Sequence, residues 1–295
     1  MGFGAIYKMI TDIVGGTESL YKVIKWTSKL PLIRGFAFSV RDKLLAPPVG
    51  SYHEKFAHQL RTFSLFCAQN ASVMSLTDEA NLGSPQSTSI CDSASRVMEI
   101  VIGLRRAQEI HCSLKVLVPD EDPEAVPKVC VVARSDRGLR GRPKNLGNRY
   151  ANPVTQNTAF ASILGADDGH TKWQAAFPSF SCNQIQNENH RFQCGRDRFS
   201  HYYCSTLAFP IRFHVRTDDD PTHIGFLTFD TQEENGFPGV PNTFAFLHDG
   251  AYHSSRYHSE CKKSPIWCTG AMMADTLAAC MIPHVDTTKR TTHDK

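Results

Sequence analysis

Apolar residues recur along this chain at two different periods, and the change from one to the other divides it. Through the first 45 residues the spacing is helical, with Ile6, Ile10 and Ile13, then Leu20 and Ile24, broken at Gly15 and Gly16. Thr17 and Glu18 suit the start of a second helical piece: a hydroxyl to cap free amides, then a carboxylate near the positive end of the dipole. Pro47 and Pro48 end that region. Residues 51–76 return to helical spacing, with Phe56, Leu60, Phe63 and Cys67 on one face. Residues 77–88 gather Asn, Gly, Ser, Pro and Gln without a period and read as a linker.

Asp92 or Ser93 is placed to cap a helix over 94–109, with Val97, Ile100, Val101 and Leu104 inward. Two strands follow, at 112–118 and 126–133, around the acidic turn 120–124. Asn157 is an N-cap residue for a short helix to 164, whose Phe160, Ile163 and Leu164 point inward. Residues 179–198 are polar and irregular and read as a long loop. Residues 203–215 and 223–231 are rich in Val, Ile, Phe and Thr, and Asp and Pro between them supply a turn. They predict a β-hairpin at the centre of a sheet. Past Gly236, Gly239 and Pro241 a further element begins at Phe244; 248–268 reads as an insertion, 269–281 as an apolar helix and 286–295 as a polar tail. The organisation expected is a helical region at 1–80, a linker at 81–91, an α+β domain at 92–284 and a tail from 285.

A chain of 295 residues can bury a sizeable core. Its net charge of +3, with 21% charged residues, does not fit a wholesale nucleic-acid binder or an acidic disordered chain. No apolar run approaches the roughly 20 residues that span a bilayer, and residues 1–10 lack a signal-peptide layout. Gly2 fails the myristoylation pattern because position 6 is Ile. A cytoplasmic protein is expected. Ten cysteines without a CxxC pair then read as reduced thiols.

Charge is uneven. Lys8, Lys22, Lys25, Lys29, Arg34, Arg41 and Lys43 outnumber Asp12, Glu18 and Asp42. Such a basic amphipathic segment can meet an anionic membrane, a partner helix or a second copy, although packing on its own domain is the commoner use. Residues 134–149 carry six basic residues and one acid. A Gly-rich basic loop of this kind suits phosphate, through backbone N–H groups and the forks of Arg137, Arg140 and Arg142; a solvated loop is its ordinary alternative. His248, His253, His258, Cys261 and Cys268 are zinc-ligand types, and His258 and Cys261 are three apart. The histidines, five apart, do not align on a helix, and no tight ligand pair is present, so no metal is expected.

STLAFPI (205–211) followed by IGFLTFD (224–230) resembles the strand pair S-x-L-x-x-P-I and I-G-x-L-x-x-D of the GAF domain family, over residues 93–283. The resemblance implies a mostly antiparallel sheet flanked by helices, with a loop-and-helix roof covering a small-molecule cavity. Its expected function is non-catalytic sensing, signalled through the helical region by partner contact or oligomerisation. Asn157, Trp173, Tyr203, Ser205 and Thr206 are the contacts implied, a nucleotide being one ligand type. Strict alternation would set Tyr203 and Ser205 on the face opposite Thr206. In the cyclic-nucleotide subgroup NTAF at Asn157 would carry Lys, not Thr, and no adjacent Cys-His pair supports a bilin. One GAF subgroup reduces free methionine-R-sulfoxide through paired thiols, which makes Cys182, Cys194 and Cys204 the enzymatic alternative. A third reading is an interaction protein with this fold and a closed, apolar interior.

Overall fold

The computed structural model describes residues 52–70, 84–103, 109–118, 125–136, 146–166, 176–188, 191–194, 203–213, 222–248 and 251–281. The chain falls into two compact units, Met1–Ala57 and His58–Lys295. The helices expected within 1–45 lie outside the described residues. Helix α1 (Tyr52–Asn70) realises the predicted spacing, with Phe63 and Cys67 fully buried.

Helix α2 (Pro85–Ile102) starts well before the predicted 94, inside the stretch read as linker. Ser84 caps it by accepting a hydrogen bond from the Ser87 amide, and Pro85 supplies the fixed φ of a first turn. Ser and Thr over 87–89 hid this start, because they are weaker helix formers that a good cap overrides. The buried face is accordingly Ile90, Cys91, Ala94 and Val97, with Ile100 and Val101 only half-buried.

Strands β1 (His111–Val118), β2 (Lys128–Arg134), β3 (Asn152–Pro153), β4 (Phe180–Cys182), β5 (Ser205–Phe213) and β6 (Thr222–Thr231) form one sheet in the order β3-β2-β1-β6-β5-β4. Every neighbouring pair is antiparallel. The fold is therefore α+β. Pairing of β5 with β6 runs from Ser205↔Thr231 to Phe213↔Thr222. The predicted central hairpin is half right: β6 is central beside β1, whereas β5 has only the short β4 outside it. Strand β4 sits in the stretch read as loop, its three residues too few to show a period.

One face of the sheet is dry. Cys112, Leu114 and Val116 of β1, Leu207, Phe209 and Ile211 of β5, and Leu227 and Phe229 of β6 are all 0–1% exposed. Against them lie α2 and helix α5 (Pro265–Met281), which also pack on each other. Two glycines allow close approach, one between strands of the sheet and one between sheet and helix. A Cβ at Gly225 would run into the Lys115 carbonyl of β1, and one at Gly270 of α5 would run into the Phe209 ring.

Residues 248–268, read as an insertion, fold into a small hairpin, β7 (Leu247–His248) with β8 (Ala251–Tyr252), followed by helix α4 (Ser254–Cys261). Tyr257 of α4 is fully buried, its hydroxyl 3.1 Å from Ser179 Oγ and 3.0 Å from Ser181 Oγ, while Trp267 Nε1 donates to Ser179 Oγ at 2.6 Å. This network secures edge strand β4 to the α4–α5 corner. Among the described residues no helix is long and apolar enough to cross a membrane.

Candidate functional site

The opposite face of the sheet is not dry. Antiparallel register lines up residues across the strands in rows, and alternation sends every second residue to this face. One row reads Arg134, Ser113, Thr228 and Ala208 across β2, β1, β6 and β5. On one side of it lies the row His111, Asp230, Thr206 and Cys182, and on the other Lys115, Phe226 and Pro210. The strands that carry aliphatic residues downward thus carry hydroxyls and charges upward.

Above these rows stands helix α3 (Thr158–Leu164). Asn157 caps it, its Oδ1 accepting from the Ala159 amide at 3.0 Å, and Gly165 ends it in the left-handed region at φ 70°. Residues 191–194 are tied to its start: the Thr158 amide donates to the Gln193 carbonyl at 3.1 Å and the Gln193 amide to Thr158 Oγ1 at 2.8 Å. Phe160 stacks on Phe226 with ring centroids 4.5 Å apart, closing one end of the space.

Between roof and sheet is a partly open cavity of about 350 Å³. Lys115, Arg134, Thr206, Thr228 and Asp230 form its polar floor, Asn157, Phe160, Phe192 and Cys194 its roof, and Arg149, Tyr150 and Tyr203 complete the wall. Among the described lining residues three cations stand against one carboxylate. Lys115 Nζ donates to Thr228 Oγ1 at 2.7 Å and lies 5.0 Å from the Phe160 centroid; Thr206 Oγ1 donates to Asp230 Oδ1 at 2.7 Å. Arg134 is 4% exposed and Asp230 5%. Arg149, exposed, stacks on Tyr150 at 4.7 Å. Charges held under a roof at this depth are costly to bury, so their gathering here is a positive signal of a site.

Of the expected contacts, Asn157, Tyr203 and Thr206 line the cavity. Ser205 does not: its hydroxyl donates to the Asn183 and Glu233 carbonyls, at 2.9 and 2.7 Å, on the other side of the strand. Tyr203 escapes the expected parity because β5 begins only at Ser205. Trp173 and the phosphate candidates Arg137, Arg140 and Arg142 lie outside the described residues. The two arginines that bound that basic stretch, Arg134 and Arg149, both reach the cavity.

The thiols split. Cys194 is in the cavity lining, accepting from Tyr203 Oη at 3.2 Å and Asn157 Nδ2 at 3.6 Å. Cys182 and Cys204 are not among the lining residues. Burial pushes the Cys182 thiol up to about 12, and burial with nearby Glu234 raises that of Cys204, the reverse of what a nucleophilic thiolate needs. The Cys130 thiol, also in the lining, is pushed up to about 11 by burial.

The zinc candidates do not converge. His253 precedes α4 and is exposed, the His258 ring lies 5.5 Å from that of Trp267, Cys261 is buried with its thiol pushed up to about 12, and exposed Cys268 lies 3.4 Å from the Lys262 carbonyl. His248 contributes a backbone position to β7. Among the described residues no three His, Cys, Asp or Glu side chains come together as a metal site.

Sequence reasoning missed Lys115, Arg134, Thr228 and Asp230 as site residues. The signal was present: HCSLKVLV, KVCVVAR and FLTFD each set a charged residue within or at the end of a mainly apolar strand run. Comparison of the sequence with protein-family models gave no match, and comparison with curated proteins gave no significant one.

Proposed function

We propose that this domain is a GAF-type sensor that takes a small molecule into the cavity between the sheet and α3, and signals through the helical region by contact with a partner or a second copy. The observation that carries the reading is the charged and hydroxylated floor, set under a roof and built on the same strands whose other face is a dry core. Support for the GAF-type architecture comes from the antiparallel sheet, the helix pair on one face and the short Asn157-capped helix on the other. A cavity of about 350 Å³ lies within the range of about 300–1,000 Å³ usual for small-molecule sites. Ligand binding acts as a switch only by favouring one of two states, and the roof, which meets both the cavity and the sheet through the Phe160–Phe226 stack, is the element through which the two would differ.

An interaction protein without a ligand would show a closed, apolar interior, and this cavity is neither. Thiol reduction needs a low-pKa thiolate with a second thiol in reach; raised Cys182 and Cys204, both outside the cavity lining, do not provide one. Native mass spectrometry of the full chain, before and after denaturation, tests the proposal. A non-protein mass released on denaturation, with an oligomer count that changes when it is removed, is the expected result. A bare mass, with no small molecule from a cell extract retained on the folded protein, overturns it.

A further inference from the structure

We propose that the outer end of the cavity takes the ring of a small aromatic acid, whose carboxylate is held at the mouth by Arg149. This rests on the sensor reading and narrows it to a chemical class. The inner end is already engaged: Lys115 Nζ donates to Thr228 Oγ1 on β6, and Asp230 Oδ1 accepts from Thr206 Oγ1. The outer end is different in kind. Its floor is Val129 and Val131, two residues apart on β2 and so on one face of the strand, with Tyr150, Ala151 and Pro153 beside them. A short arch over 147–154 holds those flanking residues. At one foot the Gly147 amide donates to the Val131 carbonyl at 3.1 Å, and at the other the Val154 amide donates to the Pro127 carbonyl at 2.9 Å. Between the feet, Asn148–Tyr150 form a single 3-10 turn closed by the Tyr150 amide on the Gly147 carbonyl at 3.0 Å, and Asn152 pairs with Val129 across β3 and β2. Gly147 sits at φ 91°, a conformation that favours glycine, so the first foot is specified by the residue that occupies it.

Arg149 is exposed, lies 4.7 Å from the Tyr150 centroid and has no carboxylate partner among the described residues. Stacking on the ring orients the guanidinium and leaves its N–H fork for a ligand. Such a fork matches the two oxygens of one carboxylate, and as the one cation at this mouth among the described lining residues it suits a monoanion rather than a phosphate dianion. Gln156, whose side chain has no hydrogen-bond partner among the described residues, is a second donor in the lining. Tyr150 is 37% exposed, so ring surface remains for an aromatic ligand to pack against over the two valines. A cavity of about 350 Å³ is near the small end for ligand sites, which favours one or two rings over a nucleotide or a long acyl chain.

The experiment is titration calorimetry on the full chain with phenylacetate and indole-3-acetate, beside phenylacetamide, which lacks the charge, and cyclohexylacetate, which lacks the aromatic ring. At least one aromatic acid should bind, with phenylacetamide about 10-fold or more weaker and cyclohexylacetate several-fold weaker. Arg149→Gln, at an exposed position, should weaken the acid about 10-fold and leave the amide nearly unchanged. Tyr150→Leu should remove the preference for the aromatic ring. Arg256→Gln, at an exposed arginine of α4 outside the cavity lining, makes the same change in net charge and should leave binding unchanged. An amide or a cyclohexyl acid that binds as well as the aromatic acid overturns the assignment, as does an Arg149→Gln protein that loses no more than Arg256→Gln. If none of these probes binds, the molecule released in native mass spectrometry decides. A released aromatic acid upholds the assignment, and any other molecule overturns it while leaving the sensor standing. If nothing is released and nothing binds, the sensor reading falls and this one with it.

Discussion

The two faces of the central sheet are made by the same strands and differ in almost every physical respect. Below, Leu114, Leu207, Phe209, Leu227 and Phe229 pack against α2 and α5 with no measurable exposure or close to none. Above, Lys115, Arg134, Thr206, Thr228 and Asp230 sit under a partial roof and bound a space. Burial of apolar area contributes roughly 25 cal/mol per Å², whereas a buried charge must recover a desolvation cost of several kcal/mol. The lower face is thus what holds the domain together. The upper face is arranged against stability, which is how a binding surface differs from a core.

The largest effect should come from emptying the dry face. Phe209 touches Phe229 and Trp267 at centroid distances of 6.4 and 6.0 Å, and Phe209→Ala is expected to lose about 3–5 kcal/mol in urea unfolding. A loss below about 1 kcal/mol would mean that the lower face is not the main core. Next is the opposite perturbation. Gly270→Ala gains about 1 kcal/mol of helix propensity but drives a methyl into the Phe209 ring, a crowding that costs about 1–3 kcal/mol. Net destabilisation is expected, smaller than that of Phe209→Ala, and combining the two should relieve it. Additivity of the pair would show that α5 does not approach the sheet at that point.

How much of this was legible in the sequence follows the same division. The lower face is written as period-two hydrophobicity over 112–118, 205–211 and 224–230, which is why these strands could be read locally. Asn157 as a cap was equally local: side chain and bonded amide are two residues apart. The start of α2 was misjudged because its buried face uses Ser87, Cys91 and Ala94, residues small enough for close approach but weak as a hydrophobic signal. On the upper face the charges interrupting apolar strands were local signals, but their assembly into one surface exists only after register sets Arg134 beside Ser113 and Asp230 beside Thr206. The basic stretch 134–149 stood out by charge, yet nothing local indicated that its two bounding arginines would reach a cavity.

Charge on the upper face gives a prediction of intermediate size, in the opposite sense to the first. Lys115→Met keeps nearly the length of the side chain while removing the ammonium and its cation–π contact with Phe160. Thr228 Oγ1 retains its bond to the Ser113 carbonyl at 3.3 Å, so no hydroxyl is stranded. Unfolding free energy should stay within about 1 kcal/mol of the parent or rise, because Lys115 is half-buried and apolar replacement of a partly desolvated ion is often neutral or stabilising. A loss comparable to that of Phe209→Ala would erase the distinction between the faces.

The smallest effect concerns a charge at the margin of the dry layer. His258 lies on α4 with its ring 5.5 Å from Trp267, and its pKa is lowered, first by burial and then by the positive charges of Lys262 and Arg212. A histidine with a lowered folded pKa binds its proton more readily in the unfolded chain. Its penalty is therefore absent above the unfolded value of about 6.5, grows as pH falls from there, and levels off below the folded pKa. The ring is largely solvent-screened, so the effect is modest. His258→Gln should leave the melting temperature at pH 8 nearly unchanged and slightly reduce the drop between pH 7 and pH 5. An unchanged drop would mean that the solvent at this edge screens the proton fully. A reduced one would extend the contrast to its boundary: charge is penalised as soon as it approaches the dry face, while across the sheet Arg134 is retained in the interior with Lys115 half-buried.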